Sequence, residues 1–180
     1  MQLTTPRLLL RAPLLCDLDG WAALMADPES ASHLGGVQPR SVAWRSLATM
    51  AGSWSLAGYG MYSVLERASG EWVGRVGPWC PEGWPGTEVG WGLLRRYWGR
   101  GYATEAAIAA IDWAFDALGW SEVIHLIAPD NTGSQAVARR LGSTRRGTTA
   151  LPAPLDATRA EAWGQTRAQW RAQRAQLPRP

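Results

Sequence analysis

Apolar and polar positions change their spacing several times along this chain, and each change marks an element boundary. Residues 3–12 carry Leu8-Leu9-Leu10 between Arg7 and Arg11, with Pro6 and Pro13 nearby, and read as a first strand. Asp17 or Asp19 can cap a short helix through Trp21, Leu24 and Met25, which Asp27-Pro28 ends. Residues 29–40 read as a loop holding His33-Leu34-Gly35-Gly36, and Ser41 as the cap of a second helix with Trp44, Leu47, Ala48 and Ala51 on one face. From Tyr59 the period shortens. Strands are predicted over residues 61–66 and 71–76 around the hairpin loop Arg67-Ala68-Ser69-Gly70, then a Pro/Gly/Trp-rich connection over 77–86. A further strand follows over 87–94, with Gly90 breaking the alternation as a bulge would.

Ala103, Ala107, Ala110, Ile111, Ala114 and Leu118 then fall on one face of a small-residue helix that Gly119 stops. An apolar strand over 122–127 precedes Pro129-Asp130-Asn131, which opens a helix with Ser134, Val137 and Leu141 in a stripe. Strands over 144–149 and 159–165 flank a proline-containing loop, residues 151–157, and Thr166-x-x-Gln169 is a capping box for a closing helix. The sum is a mixed α+β sheet of about seven strands in one domain, residues 1–180. It lacks the uniform βαβ alternation of a dinucleotide-binding domain.

Composition narrows the function classes. At 46% hydrophobic and 18% charged residues the chain is globular in character. It contains no lysine, which excludes a Schiff-base enzyme and a P-loop NTPase. A net charge of +3 is too small to point to nucleic acid. Cys16 and Cys80 are isolated and there are two histidines, so no metal or redox site is expected. The longest uncharged stretch is broken by glycines 52, 58 and 60, and no signal-peptide pattern opens the chain, so a cytoplasmic, membrane-free protein is expected.

The stretch Arg95-Arg96-Tyr97-Trp98-Gly99-Arg100-Gly101-Tyr102-Ala103-Thr104-Glu105-Ala106 carries the candidate chemistry. Closely spaced glycines feeding a helix N-terminus let backbone amides and the helix dipole approach a pyrophosphate. A dinucleotide fingerprint fails here because Thr104 stands where the third glycine is needed.

Arg96-Tyr97-Trp98-Gly99-Arg100-Gly101 fits the (Gln/Arg)-x-x-Gly-x-(Gly/Ala) signature of the GNAT superfamily of acyl-CoA N-acyltransferases. Gly101 to Ala106 resembles its ribosomal-protein-alanine N-acetyltransferase branch. Further matches are Glu88-Val89-Gly90-Trp91-Gly92-Leu93, Asn131-x-x-Ser134-x-x-Val137, Leu141-Gly142, the opening Thr5-x-Arg7-Leu8-Leu9-Leu10-Arg11 and the closing Thr166-Arg167-Ala168-Gln169-Trp170. Two positions depart from the pattern: Ser143 replaces the usual phenylalanine, and Ala138 the tyrosine that serves as general acid in many relatives.

The resemblance implies a GNAT fold and acetyl-CoA as co-substrate. Arg96, Trp98, Gly99, Arg100, Gly101, Tyr102 and Ala103 would take the pyrophosphate, with Trp91, Gly92, Leu93 and Leu94 beside the pantetheine as a pseudo-strand and Asn131 and Ser134 completing the site. Glu88 is the candidate general base; the alternative is pairing with an arginine on the sheet. Ser134 would protonate the departing thiolate or hydrogen-bond the sulfur, unless it only satisfies helix-end amides with Asn131. Trp21, Trp44, Trp54, Trp79 and Trp84 fall where relatives build acceptor surfaces, and His125 reads as a core histidine. Residues 29–40 and 148–158 would define the acceptor. The expected reaction is acetyl transfer to a primary amine, a protein N-terminus or a small amine, by direct attack in a ternary complex. A non-catalytic acyl-CoA sensor on the same fold is the alternative. The family resemblance also allows a homodimer.

Overall fold

A computed structural model describes residues 1–153, 155–156 and 159–177. Eight strands form one sheet: β1 (Gln2–Thr4), β2 (Leu8–Arg11), β3 (Tyr62–Glu66), β4 (Trp72–Trp79), β5 (Glu88–Leu93), β6 (Glu122–Ile127), β7 (Thr144–Ala150) and β8 (Arg159–Thr166). Their order is β1-β2-β3-β4-β5-β6-β8-β7. The helices are α1 (Leu18–Ala26), α2 (Pro28–Ala31), α3 (Arg40–Ala57), α4 (Tyr102–Asp116), α5 (Thr132–Arg140) and α6 (Arg167–Gln173).

The expected seven strands become eight because the first one folds on itself. Pro6 sits inside a tight turn in which the Thr5 amide donates to Leu8 O at 2.9 Å, while Leu8 N–H returns to Thr5 Oγ1 at 2.9 Å. The expected loop over 29–40 is likewise shortened, since Asp27 ends α1 and its Oδ1 caps α2 by accepting from Ser30 N at 2.7 Å. Asp17 precedes α1 as expected but does not cap it. Its carboxylate instead takes Arg11 at 2.6 and 2.7 Å, Leu14 N at 2.8 Å and Ser63 Oγ at 2.7 Å.

Three further expectations are corrected. The buried stripe of α3 is Ala43, Leu47 and Met50, not Trp44, Leu47, Ala48 and Ala51, and the helix begins at Arg40 after Pro39 rather than behind Ser41. Trp54 fixes that rotation: its ring packs on Tyr62 and Trp113 at 4.8 and 5.7 Å, and its Nε1 donates to Met61 O. Trp44 is left 51% exposed. The proline-rich connection starts later, because β4 runs on through Gly77 and Pro78 to Trp79. The ladder from β3 ends at Val76, so the missing N–H of Pro78 falls where that neighbour has stopped. Gly90 forms no bulge: β4 and β5 stay in register from Gly74↔Leu93 to Trp79↔Glu88. A Cβ at 90 would lie 2.7 Å from Met61 Cε, so Met61 fills the space that Gly90 leaves.

All neighbouring strands are antiparallel except β5 and β6, which run parallel and share a single register pair, Glu88↔Ile124. Beyond it the two strands splay. Side chains from each strand hold the opening: His125 Nδ1 bonds Val89 O at 2.7 Å, and Leu126 N–H donates to Glu88 Oε1 at 3.2 Å. The carbonyl of Val89 can only accept, so His125 carries its proton on Nδ1, and Nε2 accepts from Ser143 Oγ at 3.0 Å. Ser143 in turn accepts from Gln165 Nε2 at 2.9 Å, and burial pushes His125 down to about 4, which keeps it neutral. The serine that departs from the family pattern therefore anchors the wedge between the strands. Ser143→Ala is expected to lower stability by about 1–3 kcal/mol in urea unfolding, because it leaves the buried Nε2 without a donor.

The helix α4 buries Ala107, Ala110, Ile111 and Ala114 as its spacing predicts, and adds Ala106, Ile108, Ala109 and Phe115. The closing capping box is present: Thr166 Oγ1 accepts from Gln169 N at 3.2 Å, while Gln169 Oε1 accepts from Thr166 N at 2.8 Å. Residues Pro154, Ala157 and Thr158 of the expected acceptor loop lie outside the described residues. Among the described residues, no helix is long and apolar enough to cross a membrane.

Candidate active site

A groove of about 1730 Å³ enters the sheet at the β5–β6 splay. Of the residues predicted from sequence, Glu88, Trp91, Gly92, Leu93, Trp98, Gly99, Arg100, Gly101, Tyr102, Ala103, Asn131 and Ser134 all line it. Leu94 and Arg96 do not. Leu94 is buried, with its N–H on Val73 O at 3.0 Å, and Arg96 lies over the Tyr97 ring at 4.9 Å with Glu71 at 3.8 Å.

The glycine loop has the geometry its sequence predicts. Gly99 and Gly101 take φ of +73° and +78°, a region that side chains disfavour. Gly101 is also the N-cap of α4 and has no side chain to satisfy it. The first-turn amides of Tyr102, Ala103 and Thr104 are those a helix leaves without internal partners, and they meet the groove together with the Arg100 side chain. A second N-terminus, that of α5, borders the same groove; Asn131 Oδ1 caps it by accepting from Ser134 N at 2.9 Å. Asn131 is thus the capping residue and Ser134 supplies the capped amide. The Ser134 hydroxyl is engaged separately, accepting from Trp91 Nε1 at 3.1 Å. The Trp91 ring rests on His125 at 4.8 Å, which ties this side of the groove to the wedge.

Glu88 sits where the splay begins and is 6% exposed. Its Oε1 takes the Leu126 amide that no longer reaches β5, and its Oε2 accepts from Trp84 Nε1 at 2.7 Å. Burial raises its pKa from 4.5 to about 7, and the two N–H donors and the charge of Arg75 only partly offset that rise. Among the described residues no arginine comes within ion-pair distance of it, so the pairing alternative is not realised. A carboxylate near pKa 7 inside a groove can exchange a proton at neutral pH.

Several groove features were not legible in sequence. Trp79 faces Glu88 because the two are register partners across β4 and β5. Arg75 occupies the same face two positions along, with its guanidinium over Trp21 at 5.3 Å. Arg7 reaches Glu105 and the glycine loop from the β1–β2 turn. His33 Nδ1 lies 3.6 Å from Asp130 Oδ1. Trp79 itself was among the tryptophans expected to build an acceptor surface; its pairing with Glu88 was hidden because β4 runs three residues past the strand predicted over 71–76, and the other contacts depend on tertiary packing. Trp21 is core, whereas Trp79 and Trp84 line the groove. Neither cysteine lines it, and the described residues contain no cluster that could hold a metal.

The splayed sheet and the two helix N-termini shape a groove suited to an anionic ligand, and comparison with known proteins gives the family. The profile described as acetyltransferase (GNAT) domain matches residues 7–144. The chain belongs to the GNAT acetyltransferase family. A solved acetyltransferase from Agrobacterium tumefaciens str. C58 superposes with a TM-score of 0.82 at 29% identity, covering 93% of this chain and 95% of that one. RimL, a ribosomal L7/L12 alpha-N-protein acetyltransferase solved in complex with coenzyme A, superposes at 0.74 over 92% of this chain and 98% of that one; at 18% identity it shows the fold alone. In sequence, the uncharacterized N-acetyltransferase p20 of Bacillus licheniformis is 29% identical over 148 residues, 81% of this chain and 83% of that protein. YkkB of Bacillus subtilis (strain 168) is 36% identical over 89 residues, 47% of this chain, so the chain spans about half (52%) of that relative.

Proposed function

We propose that the protein moves an acetyl group from acetyl-CoA to a primary amine by direct attack, with Glu88 as the base. The observation that carries this reading is the placement of a buried carboxylate with pKa about 7 at the point where the sheet opens into the groove. The RimL complex with coenzyme A and the family's use of acetyl-CoA support the donor. Residues of this groove fit it: the α4 amides and Arg100 suit a pyrophosphate, and the open edge of β5 suits the amides of a pantetheine arm. Alternation along β5 turns Val89, Trp91 and Leu93 toward the splay, as the Thr87 carbonyl beside Ile124 N indicates. His125 takes the Val89 carbonyl and Trp98 Nε1 that of Leu93 at 2.8 Å, which leaves the N–H and C=O of Trp91 for the donor.

In the reaction, the ammonium form of the acceptor gives one proton to Glu88 and its nitrogen lone pair attacks the thioester carbonyl. The new N–C bond forms, the C–S bond breaks, and the second N–H proton ends on the thiolate, releasing free thiol. The Ser134 hydroxyl accepts from Trp91, which leaves its own proton to donate to that sulfur. A thiol leaving group near pKa 8.5 needs little further assistance, consistent with alanine rather than tyrosine at 138. Neither cysteine lies in the groove to form an acyl-enzyme.

Incubating the protein with acetyl-CoA and single amines, and measuring free thiol, tests the reading. Amine-dependent thiol release with a matching N-acetyl product is expected. Acetyl-CoA binding without amine-dependent release from any acceptor class would leave only the sensor function.

A further inference from the structure

The end of the groove around Glu88 has a chemical character of its own. Trp79 and Glu88 are register partners on one face of the sheet, and Trp84 donates to Glu88 Oε2 at 2.7 Å. The two indoles meet edge to face, with centroids 6.3 Å apart and planes at 74°. The next register pair along this face, Gly77↔Gly90, has no side chains, and Met61 Cε occupies the space over Gly90. A carboxylate therefore stands at the foot of a slot lined by one contacting pair of indoles and the methionine thioether.

Charge at this end is equally specific. Of the other carboxylates lining the groove, Glu29 pairs with Arg95 and Glu105 with Arg7, while Asp130 lies exposed near His33, away from the indole pair. Arg75, on the same sheet face as Glu88 and felt by its carboxylate, repels a second positive charge. A polyamine or aminoglycoside would thus bring charges for which the slot offers no partner, after Glu88 has taken the reacting one. Indoles and a thioether instead favour a flat apolar group.

We infer that the acceptor is a monoamine carried on an apolar, ring-sized group, of the arylalkylamine kind, which packs against the joined indoles of Trp79 and Trp84 while its nitrogen faces Glu88. The inference rests on the acetyl-transfer reading above. The balance of atoms is that of the proposed reaction, with the ring amine leaving as its N-acetyl derivative and the donor as free thiol.

Thiol release by the intact protein with phenethylamine, ethylamine, spermidine, kanamycin and an alanine-initiated peptide separates the outcomes. Phenethylamine is expected to show kcat/KM at least tenfold above each of the others. Trp79→Ala is expected to cut the phenethylamine-to-ethylamine ratio of kcat/KM at least tenfold, a selective loss that a general packing defect would not produce. Trp79→Phe, which keeps a ring and protects the fold, is expected to restore most of the ratio. A higher kcat/KM for spermidine, kanamycin or the peptide overturns the inference while leaving acetyl transfer intact, as does an unchanged ratio in Trp79→Ala. No turnover of any amine overturns the acetyl-transfer reading and this inference with it.

Discussion

Replacing Glu88 by glutamine is expected to lower kcat about 100-fold or more while leaving KM for acetyl-CoA within about twofold. The substitution keeps size and shape but removes the proton acceptor, and Glu88 faces the acceptor end of the groove rather than the glycine loop. The pH profile gives a second readout. Wild-type kcat/KM should climb as Glu88 ionises, with an apparent pKa about 7, whereas the variant should lose that limb and keep only the amine's own deprotonation at higher pH. Stability should move the opposite way. The folded pKa lies above the unfolded value of 4.5, so between the two the native chain holds a proton that the unfolded chain has released. Stability therefore falls as pH rises through that window, and an ionised Glu88 costs roughly 3 kcal/mol at pH 8. Glutamine avoids this cost but turns an NH₂ toward Leu126 N–H or Trp84 Nε1–H, losing about 1 kcal/mol of hydrogen bonding. Urea unfolding should thus find the variant more stable than wild type at pH 8 and less stable at pH 5. Turnover equal to wild type would remove Glu88 from the mechanism.

The same carboxylate shows where the sequence was informative. Glu88, the glycines at 99 and 101 and the Asn131–Ser134 pair lie in local motifs whose chemistry depends on their own backbone, and each falls in the groove. The α4 stripe and the Thr166–Gln169 capping box were legible for the same reason. Legibility failed where a distant partner decided. The rotation of α3 is set by Trp54 against Trp113, in a helix some sixty residues later, so Trp44 carries the right spacing for a face it does not bury. β4 passes Pro78 because β3 has ended, a fact about the neighbouring strand. Ser143 was legible only as a departure from the family pattern; only the fold places it against His125. Arg96 fits the family signature, yet both it and Arg100 lie over the Tyr97 ring; Arg96 turns to Glu71, and Arg100 is the one that lines the groove.

Arg7→Ala is expected to raise KM for acetyl-CoA about tenfold, by exposing a charge that the fold otherwise neutralises. Glu105 lies in the first turns of α4, at the end proposed to hold the pyrophosphate, where a free carboxylate would repel it. Arg7 Nε donates to Glu105 Oε2 at 2.6 Å and the Arg7 amide to Oε1 at 3.0 Å, while Thr5 Oγ1 adds a third donor at 2.5 Å. The same guanidinium donates from Nη1 to the Arg100 carbonyl at 2.9 Å and lies 4.4 Å over the Tyr102 ring, bracing the glycine loop. Arg7 is half exposed, so the variant should still fold. Coulomb repulsion between charges about one to two helical turns apart, at an effective dielectric of about 20, amounts to roughly 2 kcal/mol, which sets the size of the effect. Two comparisons separate repulsion from loss of structure. Adding Glu105→Gln to Arg7→Ala should recover much of the affinity, since it removes the charge that Arg7 no longer covers. Acetylpantetheine, which has no phosphate to repel, should show nearly the same KM with wild type and Arg7→Ala. An equal penalty for both donors would mean that Arg7 shapes the groove mechanically, and that the carboxylate at Glu105 plays no part in how the phosphates are held.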